Sequence, residues 1–225
     1  MDHREADLQP SGPTIQTWQI HNDEPPGPRY ADYCALYNVW GVFTDEPPDI
    51  VGFFGYRKYL MPLVPPGVDP AHNYNWWQCR EVDFDCMRDA WAGDDGRWIL
   101  PLLATHDVLV AEPFRLQTSL ITDFSVSRSA HDAAMLEQTL PAHWKSRQIY
   151  PYLFITRWPV FNRAMHEMDT FRHQLDPVCT GVDSDDYEYK KRPMAYVMER
   201  VWSLWLEHSG LSIKHLPLLH CWEKK

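Results

Sequence analysis

From residue 14, TIQTWQIH alternates polar and apolar positions, the period-two pattern of a half-buried strand, and the turn NDEPPGP closes it. Over 30–43, YADYCALYNVWGVF places Tyr33, Leu36, Tyr37 and Trp40 at three- and four-residue spacing, which predicts a helix closing near Gly41. DIVGFFGYRKYL (49–60) begins as a continuous apolar run after Pro47-Pro48, the pattern of a strand buried on both faces, and then turns cationic and aromatic. Residues 61–85 lack periodicity and are dense in proline, which predicts a long loop. A short helix is expected over 85–91, a strand or helix end over 98–103, and a buried strand over 106–111 that finishes at Glu112-Pro113. Helices follow over 129–140 and 159–175, the second with Pro159 at its first position, and a strand is expected between them over 147–156. After a charged loop, GVDSDDYEYKK, a broad apolar stripe predicts a helix over 192–208, stopped by Gly210 and followed by a final strand, LSIKHLPLLHCW.

Alternating strand and helix patterns in 225 residues predict one α/β domain over 14–225, behind a polar N-terminal arm at 1–13. No apolar run reaches membrane-spanning length, and the first residues lack the apolar core of a signal peptide. A soluble, cytoplasmic protein is expected. Five cysteines without a C-x-x-C pair argue against a disulfide framework or a zinc ribbon, and the eleven histidines show no zinc spacing. A net charge of −10 disfavours nucleic acid as a partner. Eleven tryptophans and eleven tyrosines suit either stacking platforms for sugars or an aromatic core.

Candidate chemistry gathers at strand ends. In open α/β sheets ligands sit beyond the carboxyl ends of strands, which is where Tyr56, Arg57, Lys58 and Tyr59 fall. Two cations framed by two tyrosines suit a diphosphate and a sugar; a solvated strand end is the alternative. Trp76 and Trp77 either stack on a sugar or pin their loop. Asp83 and Asp85 have the spacing that holds a divalent metal (Mn or Mg) against a diphosphate, and Asp183 and Asp185 repeat it. Asp32 falls in the first turn of its helix, where a carboxylate favours the dipole. Glu199 and Arg200 interrupt an apolar helix, as a buried pair or as part of a site. No Walker A loop, Gly-x-Gly-x-x-Gly or Gly-x-Ser-x-Gly occurs.

Taken in order, YADYCALYNVW, DIVGFFGYRKYL, HDVLVAEP, YPYLFITRWPVF and RPMAYVMERVWSLWLEH with IKHLPLL resemble the domain of unknown function 4422 family over about residues 14–220. That family is glycosyltransferase-like and belongs to capsular and exopolysaccharide clusters. The resemblance implies a GT-A-like nucleotide-sugar-binding sheet flanked by helices, and transfer of a sugar, from a UDP-sugar by preference, to an acceptor hydroxyl. It implies donor contacts from Asp32, Tyr56, Arg57, Lys58, Tyr59 and His131, with Glu199 as base oriented by Arg200. Tyr152 stands where the family has an asparagine and joins Trp76 and Trp77 as an acceptor contact. Gly55 stands where the family has a histidine. No cofactor is required if Arg57 and Lys58 neutralise the diphosphate; a metal, if used, falls to Asp83 and Asp85. Three other readings stand beside this one: a non-catalytic carbohydrate-binding relative, a phage-type enzyme glycosylating a modified DNA base, and a hydrolase using Asp83, Asp85 and histidines with a metal.

Overall fold

The structure, a computed structural model, describes residues 32–54, 58–60, 79–83 and 96–222, with positions 32, 58, 59, 79–83 and 220–222 described by backbone alone. The expected arm, the strand over 14–21, Tyr56, Arg57, Trp76, Trp77, Asp85 and the helix over 85–91 lie outside the described residues. A central mixed sheet carries the fold. Its strands are β1 (Ile50–Phe53), β4 (Val108–Ala111), β7 (Phe154–Arg157) and β8 (Ile213–Leu216), in the order β1-β7-β4-β8. β7 runs antiparallel to both neighbours, whereas β4 and β8 are parallel, with Val108 opposite Ile213 and Ala111 opposite Leu216. All four residues of β4 are buried, as its unbroken apolar run requires.

A second sheet contains β2 (Lys58–Leu60), β3 (Cys79–Asp83) and β9 (Leu218–Trp222), with β9 central. A small antiparallel pair joins β5 (Phe114–Arg115) to β6 (Gln148–Ile149). Helices α1 (Asp32–Phe43), α5 (Trp158–Leu175) and α7 (Pro193–His208) pack on one face of the central sheet around Val110, Phe154, Phe161, Val201 and Trp205. The other face buries Leu109, Ala111, Ile155 and Leu216 with Leu60 and Leu218, so the second sheet shares its core with the first. α2 (Ile99–Leu103) lies on that side.

Several expectations change. The run 49–60 is two strands in two sheets. β1 is an edge strand in which only Val51 is buried, its Phe53 stacking on Phe154 at 5.9 Å. A short apolar run signals burial without saying whether one face or two is covered, and here one edge has no neighbour among the described residues. The strands expected over 147–156 and 211–222 are each divided, at 150–153 around Pro151 and at Pro217. Proline cannot donate to a sheet ladder, and at both places the chain leaves one sheet for another. β3 lies inside the expected loop. α3 (Leu120–Ser127) was not expected, because LITDFSVS is short and rich in Ser and Thr; Ser119 caps it through the Thr122 N–H at 3.1 Å. α4 (Ala130–Thr139) is capped by Ser129 in the same way. The charged loop contains α6 (Tyr187–Lys191), capped by Asp186, and it buries Ser184 and Tyr189 rather than standing in solvent.

Candidate functional site

β4 and β8 end together: the Glu112 N–H donates to the Leu216 carbonyl at 3.2 Å, one residue before Pro217 turns the chain into β9. β2 lies antiparallel on β9, with Lys58 opposite His220 and Leu60 opposite Leu218. The backbone of Lys58 and Tyr59 therefore lies just past the carboxyl end of β8. It reaches this place through the second sheet, not as a continuation of β1. Such a carboxyl edge, where two parallel strands stop and the chain departs, is where open α/β sheets form ligand crevices.

A polar cluster stands on the α7 side of this edge. The Tyr150 hydroxyl donates to Gln148 Oε1 at 3.2 Å and lies 3.3 Å from His215 Nε2. Its backbone N–H donates to Ser203 Oγ of α7 at 2.9 Å, and the Ser203 hydroxyl in turn donates to the Glu199 carbonyl at 2.8 Å. Tyr150 is buried, and burial together with the Glu207 carboxylate pushes its hydroxyl up to about 12, against the pull of Arg115. His215 is exposed on one side, and partial desolvation holds it below the ordinary imidazole range. Arg115 and Lys214 act in the same direction, and Glu112 opposes them. Glu207 is held above the usual carboxylate range by burial, against a Ser146 hydrogen bond and the charge of His208. Sequence reasoning marked Glu112 as a strand end and passed over His215. The signal was present: a histidine two residues before a proline, inside the expected final strand LSIKHLPLLHCW.

Glu199 and Arg200 are brought together on α7. Arg200 Nη1 donates to Glu199 Oε2 at 2.5 Å, and the two side chains keep 7% and 21% of their surface exposed. The Arg200 guanidinium lies 5.1 Å above Phe124 of α3, and its Nε has no partner among the described residues. Phe124 meets Tyr189 edge to face at 5.7 Å, and the Tyr189 hydroxyl donates to Asp132 Oδ2 at 2.5 Å. Asp132, fully buried, also accepts from the Thr180 and Gly181 N–H groups at 3.1 and 2.8 Å. Burial and this carboxylate raise the Tyr189 hydroxyl far above its ordinary range.

His131, beside Asp132, is exposed. Its Nε2 lies 3.1 Å from the Val178 carbonyl and its backbone N–H donates to Asp183 Oδ2 at 3.0 Å, so it fastens α4 to the loop that follows α5. Tyr152 is buried against Trp202, ring centroids 5.9 Å apart, two helix positions from Arg200. Asp32 opens α1 and Asp83 closes β3, each described by backbone alone. Among the described residues no group of three or more His, Cys, Asp and Glu is placed to hold a metal. Nor, among them, is any helix long and apolar enough to cross a membrane.

No family model matches the chain, and no curated protein does. Among solved structures the chain is similar to the apo structure of WbbM, a bifunctional glycosyltransferase, with a TM-score of 0.60 and 16% identity over 85% of this chain. The match covers 36% of that protein, so the chain spans about a third of its length. At this identity the likeness is one of fold: a mixed sheet with helices, of a kind found in a glycosyltransferase.

Proposed function

We propose that the chain is a glycosyltransferase that moves a sugar from a nucleotide-diphosphate donor, a UDP-sugar, to an acceptor hydroxyl in polysaccharide or glycoconjugate synthesis. The observation that carries this reading is the fold likeness to a glycosyltransferase over 85% of the chain. The order of sequence motifs resembling the domain of unknown function 4422 family agrees with it, and the reading takes the sheet to be GT-A-like.

In this reading negative charge builds on the departing diphosphate, and Arg57 and Lys58 neutralise it. Asp32 and His131 serve the donor with Tyr56 and Tyr59, and Trp76, Trp77 and Tyr152 serve the acceptor. Glu199, held by Arg200, is the carboxylate placed against the reacting sugars. Asp83 and Asp85 take a Mn or Mg ion if the reaction uses one. The protein acts in the cytoplasm.

Thermal denaturation with UDP, free sugars and manganese, each alone, tests the reading. A ligand at a hundred times its Kd stabilises by about 2.7 kcal/mol. For a chain of this size that corresponds to roughly 5–10 °C in Tm. UDP alone is expected to give a shift of this order, and the double variant Arg57→Gln/Lys58→Gln is expected to abolish it. Stabilisation by sugars or by metal with no shift from UDP refutes the reading.

A further inference from the structure

We propose that His215 is the general base of this site: with Nε2 engaged by the Tyr150 hydroxyl, its Nδ1 takes the proton of the acceptor hydroxyl. The proposal rests on the glycosyl-transfer reading and adds to it a proton acceptor, leaving Glu199, already engaged by Arg200, to bind and orient.

Position comes first. His215 is the penultimate residue of β8, on the α7 face of the carboxyl edge. Five residues separate it from His220, the register partner of Lys58. Five residues of chain reach at most ~18 Å, which bounds the distance from His215 to the backbone of β9 on which β2 is paired.

The tautomer follows from the hydrogen bonds. Tyr150 is anchored by its backbone bond to Ser203, and its hydroxyl proton points to Gln148 Oε1. The phenolic oxygen is then free to accept, and His215 Nε2, 3.3 Å away, is assigned as its donor on that ground. That leaves the lone pair on Nδ1. The separation is at the long end for such a bond, as catalytic hydrogen bonds are before substrate tightens them.

The charges facing the ring suit a base. Partial burial, Arg115 from β5 and Lys214 on β8 keep the imidazole neutral near pH 7, and Tyr150, itself facing Glu207, stays a hydroxyl. Glu112, at the end of β4, works in the opposite sense and stabilises the imidazolium once it forms. In the step itself the acceptor O–H gives its proton to Nδ1 while the oxygen bonds to the anomeric carbon. The bond from that carbon to the phosphate oxygen breaks, its electron pair leaves on the diphosphate, and the imidazolium later returns the proton to solvent.

The test uses the full chain as wild type, His215→Gln and Tyr150→Phe. It measures kcat and KM for transfer against pH, UDP affinity, and the His215 ring nitrogens by NMR. His215→Gln is expected to lower kcat by about 10²–10⁴-fold and to erase the acid limb of the pH profile while UDP binds as before. Tyr150→Phe is expected to lower kcat more than it raises KM, and to mix the ring tautomers. A His215→Gln enzyme with wild-type kcat, a surviving acid limb, or an Nδ1–H ring in the wild type overturns the proposal and leaves the glycosyltransferase reading standing. A wild type that turns over no nucleotide sugar and is not stabilised by UDP brings down both.

Discussion

Replacing Asp132 by alanine withdraws the acceptor of three hydrogen bonds from a fully buried position. Thr180 is exposed, so its N–H can turn to water. Gly181 and Tyr189 are buried and their donors are left without a partner. Each such orphan costs about 1–3 kcal/mol, and removing the carboxyl group returns part of its own desolvation cost. The net expectation is a loss of about 2–5 kcal/mol. At roughly 2–4 °C per kcal/mol for a chain of this length, Tm falls by about 4–20 °C. Tyr189→Phe, which deletes one donor and leaves Asp132 two partners, is expected to cost about 1–2 kcal/mol. The double variant should lose less than the sum, because the hydroxyl that Asp132→Ala orphans is then gone. Equilibrium urea unfolding of the three variants supplies the numbers. An Asp132→Ala protein within 1 kcal/mol of wild type, or strict additivity in the cycle, shows that Asp132 does not hold the 179–189 segment to α4.

Gly181 has φ +64°, and a Cβ there would lie 2.8 Å from Tyr189 Cε1. Gly181→Ala is expected to cost at least about 2 kcal/mol by the same unfolding measurement, and a neutral result contradicts the packing described. The same segment carries a pH dependence. Asp186 lies below the usual carboxylate range chiefly through the Tyr189 N–H, aided by Arg128. For Asp183 partial burial works upward, but bonds from the Ser129 hydroxyl and the His131 N–H outweigh it. Both folded pKa values are lowered, so their contribution is present above about pH 4, the unfolded value, and is lost as pH falls through the folded one. Protection of the 187–191 amides from hydrogen exchange is expected to fall across that window; constant protection down to about pH 2 argues against it. Tyr189 has the opposite sign, its folded pKa being raised. It adds a loss of stability as pH climbs above about 10, which alkaline unfolding of wild type against Tyr189→Phe reads out.

Much of the helical half of the fold is legible from the chain alone. Three- and four-residue spacing around Tyr33, Leu36 and Trp40, and again through Val197, Val201 and Trp205, announces α1 and α7. Ser129 and Pro159 mark where α4 and α5 begin. These are local signals, because a helix satisfies its hydrogen bonds within four residues. The apolar run of β4 is equally plain.

Strand pairing is not, since a period of two tells which residues share a face and never which distant segment supplies the other half of the ladder. Only the folded chain shows that 49–60 serves two sheets and that Pro151 and Pro217 mark crossings between them. The site behaves the same way. Glu199 and Arg200, adjacent in sequence on one helix, could be singled out together. Tyr150 and His215 are 65 residues apart, and they meet because β8 lies parallel to β4 while α7 anchors Tyr150 from the other side. In sequence Asp132 is an acid in the first turn of a helix like any other; a loop almost 50 residues further on supplies the partners that bury it. Local periodicity determined the elements; burial and polar satisfaction at long range decided which polar side chains converge, because only packing takes water away from them.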